Sequence, residues 1–150
     1  MENISLKGIG AGILATLVLS IPVGLMFGFY FVEIYNEVAP GVNFANEKEV
    51  EEMINNIIYH PLSIAFNVMA IFVTVGVPAY ISALVAKKGY TINSLLIGVF
   101  VLLLCLIDFE TVSQYPRQFA VIATFILIVA YLAGLLRYWQ VLKRNLANAL

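Results

Sequence analysis

Seven residues are placed by type and spacing as candidates to bind a solute, hold an ion or move a proton: His60, Ser63, Asn67, Thr74, Asp108, Glu110 and Arg117. The first four recur at helical spacing and fall close to one face of a helix, with Ala70 between them. Asn67 lies about 9 Å along that helix from Pro61. An amide at that depth in apolar surroundings needs hydrogen-bond partners, from a solute or from a neighbouring helix. Gly76 and Pro78 follow, where a kink would free a backbone carbonyl. Asp108, Glu110 and Arg117 flank a turn, and Arg117 has Asp108, Glu110 and Glu33 as candidate ion partners. The spacing predicts that His60, Asn67 and the Asp108–Arg117 region meet at one end of a helix bundle.

Stronger chemistries are not written into the chain. His60 and the scattered carboxylates lack the ligand spacing of a metal centre. A single histidine cannot supply two axial haem ligands. There is no nucleophile elbow, metalloprotease motif, phosphate loop or dinucleotide fingerprint. Gly8-Ile9-Gly10-Ala11-Gly12 is glycine-rich, but it opens an apolar helix and follows no strand. No cofactor is expected, and catalysis is the less favoured reading.

The elements that must position these residues follow from composition. Of 150 residues, 62% are hydrophobic and 11% charged. A soluble domain carries about 25% charged residues. With a mean hydropathy of +0.96, the chain reads as an integral membrane protein. Cys105 is the lone cysteine, so no intrachain disulfide forms, and eight basic residues cannot build a nucleic-acid groove.

The uncharged runs predict four transmembrane helices, at about residues 8–32, 61–86, 90–107 and 118–136, each near or above the roughly 17–25 residues that cross a bilayer. The run from Ile9 to Val32 has 24 residues, beyond the roughly 7–15 of a signal-peptide core, and reads as a retained anchor. The expected fold is all-α, an antiparallel four-helix membrane bundle forming one domain over residues 1–150.

Basic residues set the expected orientation. Lys7, Lys87, Lys88, Arg137, Lys143 and Arg144 share one side when four spans alternate, against Lys48 and Arg117 on the other. The positive-inside rule then puts both termini in the cytoplasm of a multi-pass cell-membrane protein. Tyr90, Tyr138 and Trp139 fall at the inner interface, and Tyr30, Tyr35, Tyr59 and Tyr115 at the outer one.

The outer loop contains a turn at Pro40-Gly41 and then a short amphipathic helix at about residues 47–59. Asn46 would cap it, with Glu49 three residues on completing a weaker capping box. Val50, Met53, Ile54, Ile57 and Ile58 form its apolar face, and Glu47, Glu51 and Glu52 lie away from it.

The clearest pattern is a stripe of small residues four apart: Gly8, Gly12, Thr16, Ser20, Gly24 and Gly28. Such a stripe lets helix backbones approach closely in lipid. A four-residue step advances about 40° on a helix of 3.6 residues per turn, so the stripe winds, and Pro22 is placed to bend the helix and restore the facing. On this reading Gly24→Leu damages packing more than Leu25→Ala.

Together these features favour a non-catalytic membrane subunit or small homo-oligomer that acts through helix association. Its partners are membrane lipids and either further copies or other membrane subunits, not nucleic acid. The alternatives are a small-solute transporter or channel with its polar site on the second span, and a membrane enzyme acting on lipid or quinone.

Overall fold

The structure is a computed structural model that describes residues 4–107 and 116–148. Every regular element among them is helical: α1 (Leu6–Val38), α2 (Glu47–Ile58), α3 (Pro61–Ile71), a π-helical turn (Phe72–Gly76), α4 (Val77–Val85), α5 (Tyr90–Cys105) and α6 (Pro116–Ala147).

Among the described residues three helices, not four, are long and apolar enough to cross a membrane: Leu6–Val38, Pro61–Val85 and Pro116–Ala147. The expected third span is shorter than its uncharged run implied. Leu106 caps α5 and Leu106-Ile107 form a turn, which leaves 16 helical residues. At 1.5 Å per residue that is about 24 Å, short of the roughly 30 Å hydrocarbon core. The second span keeps close to its expected bounds, and the first and last run longer than expected. α1 continues through Glu33 to Val38, and α6 continues past Arg137 to Ala147, because a helix does not stop where hydrophobicity does. The chain is a multi-pass helical membrane protein.

The second span is interrupted. Pro78 has no N–H to return to the preceding turn, and the Val77 N–H reaches back five residues to the Phe72 carbonyl. Ala70 follows Asn67 by three positions on one helical face, but the π turn then resets the helical phase before α4 begins.

The helices group into two compact units, one of Met1–Leu19 and Ile71–Leu150, the other of Ser20–Ala70. In the first, Val75, Ala79, Ile97, Ile126 and Ala130 form the core. Small residues set its contacts: a Cβ on Gly98 would lie 2.9 Å from Ala130 Cβ, and one on Gly134 2.7 Å from Thr91 Cα. These contacts make α5 and α6 antiparallel.

In the second unit Ile34, Met53, Ser63 and Phe66 are buried. Phe66 stacks on Tyr30 with ring centroids 5.2 Å apart and meets Phe27 at 5.8 Å. The Pro40-Gly41 turn closes with Val42 N–H donating to Ala39 O at 3.1 Å, and Gly41 takes φ +88°, the geometry of a type II turn. Asn46 caps α2 by accepting from Lys48 N–H at 3.2 Å. The capping box is modified: Glu49 accepts from the Asn46 side-chain amide and from Asn43 N–H, each at 2.8 Å, while the Asn46 N–H donates to Asn43 O. Met53 is buried and Val50 and Ile57 are half-buried, with Glu47, Glu51 and Glu52 exposed.

Candidate functional site

The second unit holds the polar residues at the start of α3. His60 closes the α2–α3 joint, its N–H donating to Ile57 O at 3.3 Å. Its Nε2 lies 3.6 Å from a Glu37 carboxylate oxygen, an ion pair whenever the imidazole is protonated. Glu37 was not among the partners expected from sequence; it reaches His60 because α1 runs two turns beyond its apolar stretch. His60 Nδ1 and the Tyr30 hydroxyl are both shielded from solvent without a hydrogen-bond partner.

Ser63 serves the joint as well. Its hydroxyl donates to Ile57 O at 2.6 Å, the same carbonyl that accepts from the His60 N–H at the end of α2. Asn67 is exposed. The buried face of α3 runs through Ser63 and Phe66, and the Phe66 ring packs on Tyr30 and Phe27 of α1. Thr74 sits half-buried inside the π turn. Thr74 and Arg117 belong to the first unit and His60, Ser63 and Asn67 to the second. Arg117 is exposed in the first turn of α6, and Asp108 and Glu110 lie outside the described residues. Among the described residues no group of three or more His, Cys, Asp or Glu side chains could hold a metal ion.

The best-satisfied polar cluster is one that the sequence reading did not single out. Asn93, Ser94 and Ser82 are fully buried in the first unit. The Asn93 amide donates to Gly89 O at 2.8 Å and Lys88 O at 3.2 Å, and its oxygen accepts from Ser5 N–H at 2.8 Å. One side chain thus fixes the α4–α5 turn and occupies a donor that the start of α1 would otherwise leave unpaired. Ser94 donates to Ala79 O at 2.9 Å and Ser82 to Asn93 O at 3.3 Å. The signal was present in sequence: an amide four residues after the turn glycine, at the head of an otherwise apolar helix.

The small-residue stripe divides at the boundary between the units. A Cβ on Gly8 would lie 2.7 Å from Ser82 O, and one on Gly12 2.5 Å from Ile97 Cδ1 and 2.9 Å from Ser82 Cβ. Thr16 is buried, its hydroxyl donating to Gly12 O at 3.1 Å. Ser20, Gly24 and Gly28 are exposed, and a Cβ on Gly24 or Gly28 meets nothing within 4 Å. Four steps of about 40° carry the stripe about 160° round the helix by Gly24. Pro22 lies inside an unbroken helix, and Gly24 and Gly28 stay free of the close contacts made by Gly8 and Gly12. The expectation that Gly24→Leu disturbs packing therefore has no intrachain contact behind it.

An apolar groove of about 390 Å³ lies between α4 and α6, lined by Phe72, Gly76, Tyr80, Val129, Leu132 and Leu136 among others. The Tyr80 hydroxyl donates to the Gln140 side-chain oxygen at 2.7 Å. Apart from Tyr80 the lining of the groove is wholly apolar, without Ser, Thr, Cys, His, Asp, Glu or Lys.

The chain matches no known protein family, no curated protein and no solved structure.

Proposed function

We propose that this protein is a non-catalytic membrane component that works by helix association, as a small homo-oligomer or as a subunit of a larger membrane complex, with α1 as the docking helix. The observation that carries this reading is the contrast along α1. Its first small residues are tightly packed within the chain, whereas Gly24 and Gly28, four residues apart, form a small-xxx-small surface with nothing against it. In lipid, where apolar exposure alone does not drive association, a surface of this kind gains van der Waals contact only from another helix backbone. α1 is also the barest of the long helices: 11% of its most apolar window is buried, against 28% and 22% in the other two.

The Lys87-Lys88 end of the first unit is the cytoplasmic one in this proposal, by the positive-inside rule. The start of α1 meets Asn93 through Ser5, and the later part of α6 meets Thr91 through Gly134; cytoplasmic termini are part of this proposal and require the shorter α5 to carry the chain back between the long spans. A solute carrier or channel, and an enzyme acting on lipid or quinone, are the alternatives. They rest on the unpartnered His60 Nδ1 and Tyr30 hydroxyl.

Native mass measurement from a mild detergent tests the proposal. The wild type is expected as a discrete oligomer or with copurifying subunits. Gly24→Leu/Gly28→Leu is expected to run as a 16.6 kDa monomer with its melting temperature retained, because neither glycine has an intrachain neighbour for the new side chain to strike. A monomeric wild type, or an assembly indifferent to the double substitution, would overturn it. A small molecule retained by that monomer would favour the solute reading instead.

A further inference from the structure

At the turn between α4 and α5, a recess of about 410 Å³ is lined by Lys87, Lys88, Gly89, Tyr90, Thr91 and Tyr138. Both lysines are exposed, and neither is needed to build the turn. Gly89 provides its positive φ of 63°, the Asn93 amide holds the Lys88 and Gly89 carbonyls, and the Tyr90 hydroxyl donates to Lys87 O at 3.0 Å. The ammonium groups are thus left for something else. Nothing in the described part of this unit neutralises them. It contains no Asp or Glu, and the only ion pair among the described residues is that of His60 with Glu37 in the other unit.

A third cation stands beside the recess. Arg137 and Tyr138 follow Gly134 by three and four residues, which puts them on the face of α6 that meets Thr91. The Arg137 Nε–H is shielded from solvent and has no acceptor. Guanidinium N–H groups only donate, so this one lacks an acceptor, a place that an anion's oxygen would fill.

We propose that this recess binds the phosphate of an anionic phospholipid headgroup. The level of the site in the membrane selects a lipid as the source of that phosphate. Tyr138 and Trp139 are in edge contact at 6.3 Å and, with Tyr90, form the kind of aromatic belt that sits among headgroups. Just below them Ile92, Val85 and Leu136 are exposed and offer apolar surface to acyl chains. Lysines and an arginine at the headgroup level are a recurrent means of recognising acidic lipids. The assignment goes beyond helix association and does not depend on it, since Gly24 and Gly28 lie in the other unit.

The test is native mass spectrometry of the delipidated protein in neutral detergent, titrated with phosphatidylglycerol or phosphatidylcholine of identical chains. The wild type is expected to retain phosphatidylglycerol about tenfold more tightly. Lys87→Gln/Lys88→Gln is expected to bring the two lipids level with no change in melting temperature. Arg117→Gln, at the start of α6, is expected to keep the preference. Equal retention of both lipids by the wild type would overturn the proposal whatever the variants do. So would a preference that survives the double substitution, or one that millimolar inorganic phosphate abolishes, since the site would then take a soluble anion.

Discussion

Gly134→Ala is expected to destabilise the protein by about 2 kcal/mol, the usual scale of overpacking in a core that cannot yield. The added methyl would lie 2.7 Å from Thr91 Cα, 2.8 Å from Ser94 Oγ and 3.0 Å from Ser94 Cβ. The first of these is backbone, so no rotamer change relieves it. Ser94 is fully buried, with its hydroxyl committed to Ala79 O. Relief therefore requires α5 and α6 to move apart, which loosens the contact between Gly98 and Ala130 as well. Gly10→Ala is the matched control. A Cβ there meets nothing within 4 Å, so only the helix preference for alanine remains, a gain of about 0.5–1 kcal/mol. Thermal melts in detergent decide between them. Equal responses would mean that the α5–α6 contact is not close.

Asn93→Ala is expected to cost about 3 kcal/mol, the other large effect in the first unit. It removes the acceptor of Ser5 N–H and the amide donated to Lys88 O and Gly89 O. Asn93 is itself fully buried, so its partners lose their inward-facing hydrogen bonds and only their outer side stays open to water. Asn93→Asp keeps an acceptor for Ser5 N–H but sets a carboxylate against two carbonyl oxygens, and it should fare no better than alanine. A melting temperature within a degree or two of wild type for either variant would remove Asn93 from the list of residues that hold the turn.

These two residues also show where sequence reading reaches and where it stops. The membrane character and the long helices were legible because they depend on sums over many apolar residues. The length of α5 was not: Leu106 and Ile107 are as apolar as the helix before them and yet form its terminal turn. Asn67 was given a role by its spacing from His60, but spacing does not say which side of a helix finds a neighbour. The bulk of Phe66 between Tyr30 and Phe27 decided that. The repeat of small residues from Gly8 to Gly28 was plain in the sequence, and so was its winding. What needed the fold was that Gly8 meets small partners (Ser82 and Ala86), while Gly12 makes room for the tip of Ile97 beside Ser82. The π turn required the consequence of Pro78 to be absorbed by Val77 instead of by a kink, a choice that composition does not record.

Helix association depends most directly on the face of α1 that carries Gly24 and Gly28. Interchain disulfide formation in native membranes tests it directly, with Gly24→Cys in a Cys105→Ser background and Met26→Cys as the control. Met26 is exposed and two residues away, so it lies on the far side of the helix at about 200°. A symmetric pair of helices crossing at this face brings the two Gly24 positions together. On mild oxidation, Gly24→Cys is expected to give a covalent dimer, or an adduct with a second subunit if that subunit carries a cysteine there, while Met26→Cys stays monomeric. A Gly24→Cys chain that cross-links no more than Met26→Cys would contradict the assignment of α1 as the docking helix.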